Sequence, residues 1–275
     1  MCIEGAPLLT IVVPVFDEED VLAMFAARTR PVLDQLAEPY EVLFVDDGSQ
    51  DGTPAILSDL TRAWPQARVL TLRRNAGHQA ALTAGLDHSS GDAVITMDAD
   101  LQDPPEVLPE MVQAWRQGAI DIVYAVRADR RQDSWFKRRS ARVYYRMMRR
   151  VAGQDVPADA GDFRLMSRAV VDALHQLPER NRVYRLLVPW LGFPSATVRY
   201  SRDSRAAGRS KYSVSHMTRL AFDSVTSFSA QPLRIATWCG VFGSAVCFAA
   251  MLTAVIAQLS GHTVPGWASV FVAVL

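Results

Sequence analysis

Over its first 130 or so residues the chain alternates between two hydrophobic periods, and this alternation restricts the fold more than any other feature. Residues 8–15 form a continuous apolar, β-branched run that reads as a buried strand, while residues 19–36 carry apolar side chains at helical spacing. The exchange repeats: strand at 41–45, helix at 53–64, strand at 68–72, helix at 78–86, strand at 93–97, helix at 105–115, strand at 120–126. Pro54 falls in the first turn of its helix, where a missing N–H is not needed. Strands separated by helices pair in parallel through right-handed crossovers. The expected fold is therefore α/β, a Rossmann-like, mostly parallel sheet flanked by helices.

Ligands of such sheets sit at the carboxyl ends of the strands. Here those ends read Pro14-Val15-Phe16-Asp17-Glu18, Asp46-Asp47-Gly48-Ser49 and Asp98-Ala99-Asp100, so carboxylates converge on one edge. Two carboxylates one residue apart at a strand end can both face a hard divalent cation. Mg2+ and Mn2+ prefer oxygen ligands and often share them with substrate phosphates. Gln102 could add an amide oxygen. An isolated acid pair is equally explained by a turn or a helix cap. The acids of the 46–53 segment can accept hydrogen bonds from ribose hydroxyls or base N–H groups, or they can simply cap the next helix.

The other end of the chain is different. Residues 235–259 contain no charge. As a helix this run would extend roughly 37 Å, enough for a hydrocarbon core of roughly 30 Å. A buried core helix is the alternative, disfavoured by the length. Lys211, Arg219 and Arg234 precede the run, and 260–266 has no Lys or Arg, which puts the main domain in the cytoplasm and that loop outside. A second apolar run at 267–275 has the character of an incomplete second span. Between 130 and 150, Arg130, Arg131, Lys137, Arg138, Arg139, Arg142, Arg146, Arg149 and Arg150 surround Trp135, Phe136, Tyr144 and Tyr145. That pattern suits a helix on a membrane surface, or a solvated charged face. A net charge of zero argues against a nucleic-acid partner for the chain as a whole. Cys2, Cys239 and Cys247 form no CxxC pair, so neither a disulfide framework nor a zinc site is expected.

Taken together, Val13-Pro14-Val15-Phe16-Asp17-Glu18-Glu19, the 46–53 segment and the DADLQDPPE segment at 98–106 resemble the inverting glycosyltransferases of GT-A fold. Arg74-Asn75-Ala76-Gly77-His78-Gln79, Gly161-Asp162-Phe163-Arg164-Leu165, the 205–212 segment, Ser227-Phe228-Ser229 and Pro232-Leu233-Arg234 narrow the resemblance. They are similar to the polyprenyl-phosphate hexose transferases, relatives of dolichol-phosphate mannose synthase that include bacterial undecaprenyl-phosphate glucosyltransferases. The resemblance implies a catalytic domain at 1–210, an interfacial segment at 211–234, a transmembrane helix at 235–259 and the start of a truncated second one at 267–275. It implies that Pro14, Phe16, Glu18, Asp46, Asp47 and Asp98 line the nucleotide-sugar pocket. Asp98, Asp100 and Gln102 would hold Mg2+ or Mn2+. Arg127, Arg164, Arg205, Ser210 and Lys211 would surround the phosphates. Asp162, Asp100 and Lys211 would carry the catalysis. The implied reaction moves a hexose from a nucleotide sugar, UDP-glucose first, to polyprenyl phosphate, and a homotetramer is a further implication. Asp17 departs from the commoner Asn.

Two rivals stand beside this: transfer to a soluble or glycan acceptor, and an inactive membrane-attached scaffold that binds sugar nucleotides. A QxxRW-type acceptor motif, expected of a processive synthase, is missing. A phosphate monoester acceptor has a second pKa of about 6 and is largely anionic at pH 7, so it needs little deprotonation. Asp162 is then expected to position the acceptor more than to abstract a proton. In an assay of labelled-hexose transfer, Asp162→Asn should keep measurable activity and Asp100→Ala should nearly abolish it. Equal, complete losses in two folded variants would refute the distinction.

Overall fold

The computed structural model describes residues 8–36, 38–127, 160–178, 182–201 and 231–261. Two compact units divide the chain, Met1–Lys211 and Tyr212–Leu275. The basic 130–150 segment, the candidate phosphate ligands Arg205, Ser210 and Lys211, the interfacial segment up to residue 230 and the apolar run at 267–275 lie outside the described residues.

In the first unit a seven-stranded sheet has the order β3-β2-β1-β4-β6-β5-β7. Its strands are β1 Leu9–Val15, β2 Tyr40–Asp46, β3 Ala67–Thr71, β4 Ala93–Thr96, β5 Ile122–Arg127, β6 Ala160–Ser167 and β7 Ser195–Tyr200. β1 pairs in parallel with β2 on one side and β4 on the other. The strand order therefore reverses at β1, and crevices for ligands open at such a switch point. Six strands run in parallel; β6 alone is reversed, antiparallel to both β4 and β5. The first five strands and their four helices lie where the hydrophobic periods predict. β6 is an addition. Its buried face includes Arg164, so no apolar alternation announces it, and strand direction is invisible to periodicity.

Helices cover both faces, namely α1 Leu22–Gln35, α2 Thr53–Ala63, α3 His78–Asp87, α4 Leu108–Arg116, α5 Arg168–His175 and α6 Tyr184–Trp190. A short 3-10 turn at Pro105–Val107 leads into α4. The main core packs Leu9, Ile11, Val13 and Val15 of β1 and Tyr40, Val42 and Phe44 of β2 against Leu22, Phe25 and Leu33 of α1, with Leu57, Leu108 and Met111. The alternate residues face the other way, as a two-residue period requires. On that opposite side a Cβ at Gly85 would come within 2.2 Å of Val12 Cγ1 and 3.1 Å of Val45 Cγ2. Only a glycine lets α3 lie this close to the sheet, and the close approach brings the start of α3 over the carboxyl ends of the strands.

At the amino end of the sheet Glu41 is buried and fully engaged. Thr10 Oγ1 donates to its Oε1 at 2.8 Å, Ser90 donates to the same oxygen, and Arg68 Nη1 donates to Oε2 at 2.9 Å. Burial pushes this carboxyl up, but those donors prevail and hold it below the usual value.

The second unit contains α7, Gln231–Leu259. Its stretch Ala236–Ala257 has a mean hydropathy of 2.1 and is long and apolar enough to cross a membrane. Trp238, Phe242, Phe248 and Leu259 all expose more than 60% of their surface among the described residues. The Thr253 hydroxyl donates to the carbonyl of Ala249 at 2.8 Å, which satisfies a polar group that hydrocarbon could not.

Gly85→Val should destabilise the first unit by about 1–3 kcal/mol through overpacking against a stiff, buried valine. Thermal unfolding followed by circular dichroism checks this; an unchanged midpoint would mean α3 can lift off the sheet at little cost.

Candidate active site

Three loops at the carboxyl edge are tied together by backbone-to-side-chain hydrogen bonds. After β1, Asp17 N donates to Ser49 Oγ at 3.0 Å, and Asp17 Oδ1 accepts from Gln50 N at 2.8 Å. Glu18 N donates to Thr53 Oγ1 at 2.8 Å, and Gly52 N donates to Glu19 Oε2 at 2.6 Å. Asp17 has a φ of 49°, the left-handed region that Asp and Asn tolerate better than most residues. This explains how Asp can stand where the resembling family more often has Asn. Asp46 and Asp47 are both buried. Asp46 Oδ1 accepts from Ser49 N at 2.9 Å, while Asp47 takes the amides of Ala76 at 2.7 Å and Gly77 at 2.8 Å on its two oxygens. Gly48, with a φ of 74°, lies directly beneath the backbone of Arg74 and Asn75, where a Cβ would come within 2.6 Å. The first two βα loops and the 74–77 loop thus form one preordered wall, bounded by Pro14 and Phe16.

One strand further, the chain leaves β4 through Asp98-Ala99-Asp100-Leu101-Gln102. Leu101 is buried with a φ of 57°, and Gln102 N donates to Asp100 Oδ1 at 3.0 Å, which closes the turn. Asp98 keeps 43% of its side chain exposed. Removal from bulk water and the charges of Asp103, Asp162 and Asp100 push its carboxyl up to about 6, against the pull of His78. Asp98, Asp100 and Gln102 follow β4 within five residues, and their side chains all carry oxygens of the kind a hard cation takes. Among the described residues no group of three His, Cys, Asp or Glu could hold a metal. A cation held by Asp98 and Asp100 would need further oxygens, from Gln102, water or a bound ligand, to complete its shell.

Because β6 runs backwards, its first residues reach the same edge. Thr96, at the end of β4, donates a short hydrogen bond from its hydroxyl to the carbonyl of Asp162. The Arg164 side chain, 2% exposed, donates to Asp162 Oδ1 and to the carbonyls of Gly161 and Tyr184 at 2.8–2.9 Å. These contacts make Arg164 a buried strut rather than a surface cation. His78 Nε2, on the first residue of α3, lies 3.5 Å from Asp162 Oδ2 and 3.8 Å from Asp98 Oδ1. Arg185, on α6, lies 3.8 Å from Asp162 Oδ2. Burial would raise Asp162, but His78, Arg164 and Arg185 together hold it far below the usual carboxylate range. Burial would lower His78, but Asp162 and Asp98 prevail and raise it to about 9.

The structure thus gathers Pro14, Phe16, Glu18, Asp46, Asp47, Asp98, Asp100, Gln102, Asp162 and Arg164 at one edge of the sheet, with Arg127 at the end of β5. His78, part of the Arg74–Gln79 motif, stands between two acids, Asp162 and Asp98. Arg185 carries no sequence signal of its own: it lies on a seven-residue helix and gains meaning only beside Asp162.

Residues 10–174 match the glycosyl transferase family 2 profile. The glycosyltransferase YkcC of Bacillus subtilis is 42% identical over 264 residues, covering 96% of this chain and 81% of the relative. The bactoprenol glucosyl transferase of Shigella phage SfV is 40% identical over 270 residues, covering 97% of this chain and 87% of the relative. Among solved structures, glucosyl-3-phosphoglycerate synthase of Mycobacterium tuberculosis, in complex with Mn2+, UDP-glucose and phosphoglyceric acid, superimposes with a TM-score of 0.59 at 20% identity, covering 81% of this chain and 78% of that one. The mannosyltransferase PcManGT of Pyrobaculum calidifontis, in complex with GDP-mannose and Mn2+, gives 0.55 at 19% identity, with 83% and 65% covered. At these identities the structural likeness is one of fold.

Removing Arg164 would strand a buried carboxylate, whereas removing Arg185 would not. Arg164→Gln should cost about 3–5 kcal/mol of stability, and Arg185→Gln should stay within about 0.5 kcal/mol while lowering activity. Paired measurements of thermal midpoint and turnover check this; equal midpoints for the two variants would contradict the strut assignment.

Proposed function

The chain belongs to glycosyl transferase family 2 and is a glycosyltransferase, and on that premise we propose that it transfers glucose from UDP-glucose to a polyprenyl phosphate, undecaprenyl phosphate first, at a membrane surface. The observation that carries this reading is the 40% identity to a bactoprenol glucosyl transferase over 97% of the chain, a span that includes both the carboxylate edge and the apolar helix α7.

In this reading the tied loops after β1 and β2 receive the nucleotide. Pro14, Phe16 and Glu18 line the pocket, and buried Asp46 and Asp47 keep its walls in place. Asp98 and Asp100, with Gln102, would hold Mg2+ or Mn2+, which supplies electrostatic stabilisation of the diphosphate as charge builds on the leaving group. Arg127, Arg205 and Lys211 would supply positive charge around the phosphates, and Ser210 a hydroxyl donor. The acceptor phosphate attacks the anomeric carbon opposite the leaving diphosphate, and the configuration inverts. Asp162, held far below the usual carboxylate range, is a weak base. That supports a role in orienting an acceptor that is already anionic at neutral pH. Helix α7 would anchor the enzyme in a bacterial inner membrane, with the catalytic unit on the cytoplasmic side.

The test is transfer of labelled hexose from a panel of sugar nucleotides to undecaprenyl phosphate by purified protein in detergent, with and without EDTA. The expected result is an organic-extractable product from UDP-glucose that disappears with EDTA. A product from a different donor would revise the sugar. Transfer to a soluble alcohol, with none to the lipid, would overturn the acceptor.

A further inference from the structure

β7 ends at Tyr200, whose side chain supports two parts of the site at once. Its hydroxyl donates a short hydrogen bond to Asp103 Oδ1, three residues beyond Asp100 in the turn that follows β4. Its ring meets Phe163 edge to face, with centroids 5.8 Å apart and planes at 80°. Phe163 is the neighbour of Asp162 in β6. Tyr200, Asp103 and Phe163 are all buried. Arg127, the register partner of Tyr200 across the β5–β7 pair, lies beside this group, and its Nε is buried with no hydrogen-bond partner. In the sheet order β7 is the edge strand, three places from β4. A single side chain from that edge therefore reaches the turn that carries Asp98 and Asp100 as well as the strand that carries Asp162.

Phenylalanine would fill the same space and keep the contact with Phe163. What the hydroxyl adds is a donor for a buried carboxylate, a group that is costly to leave unsatisfied. Within the 98–103 turn, the Gln102 backbone amide donates to Asp100 and Leu101 adopts the left-handed conformation. Asp103 is where the turn is fastened to the rest of the sheet.

We propose that Tyr200 is a positioning residue for the metal-binding turn, fixing its far end through Asp103 so that Asp98 and Asp100 keep the spacing that a divalent cation needs. The proposal rests on the metal-dependent reading given above. Partners that orient ligating groups typically contribute 10–100-fold in metal affinity.

The experiment is a titration of the full-length protein in detergent with Mn2+, with UDP present, in which free Mn2+ is read by electron paramagnetic resonance. Tyr200→Phe should weaken Mn2+ binding about tenfold, while the thermal midpoint without metal falls by only about 2–4 °C, as loss of one hydrogen bond predicts. Asp103→Asn, which keeps an oxygen acceptor for the hydroxyl, should bind Mn2+ more tightly than Asp103→Ala; this pair carries the test should Tyr200→Phe fail to fold. Unchanged Mn2+ affinity in a folded Tyr200→Phe, or equal affinity in the two Asp103 variants, overturns the proposal alone. No Mn2+ binding by the wild-type protein overturns the metal reading and this proposal with it.

Discussion

The buried ion pair between Arg164 and Asp162 is the contact on which the site depends. β6 is the one reversed strand in an otherwise parallel sheet, and it brings a charged pair to a place where parallel strands bring apolar ones. Burying two charges costs several kcal/mol each unless their remaining donors and acceptors are satisfied. Here they are: the Arg164 guanidinium also serves the carbonyls of Gly161 and Tyr184, and Asp162 has His78 and Arg185 on its second oxygen. The pair therefore fixes three elements relative to one another: β6, α6 through Tyr184 and α3 through His78. It also leaves Asp162 anionic across the physiological range, suited to holding cationic neighbours and a substrate in place.

A second constraint is preorganisation of the neighbouring loops. Asp17, Glu19, Asp47 and Asp51 spend their oxygens on backbone amides of other loops. Acids that would otherwise be free to meet a ligand instead hold the wall of the pocket. Such a wall needs little ordering when a ligand arrives, which favours binding and keeps electrostatic groups aimed without reorganisation. The half-exposed carboxylate of Asp98 stands against this background, in the turn that Asp103 and Tyr200 fasten.

The strand and helix periods, the carboxylates at the strand ends and the acid pair after β4 were all legible along the chain, because each is a local pattern. The apolar run that becomes α7 was legible for the same reason. Asp162 was identifiable by resemblance, but its environment was not, since Arg164, His78 and Arg185 are drawn from three elements separated by up to about a hundred residues in the chain. Asp46 and Asp47 could be read as ligand-facing acids or as part of a plain loop and cap, and both accept backbone amides in the structure. The need for glycine at 85 comes from its contact with Val12, which the sequence does not show.

The sequence alone determined the α/β class, the edge at which the carboxylates collect and the presence of a long charge-free helix, because burial periodicity and charge are properties of neighbouring residues. Only the tertiary structure decided that β6 runs backwards between β4 and β5, that Asp162 meets His78 across from Asp98, and that Tyr200 reaches Asp103. Those contacts depend on strand order and direction, and a hydrophobic period of two is the same for a strand read in either direction.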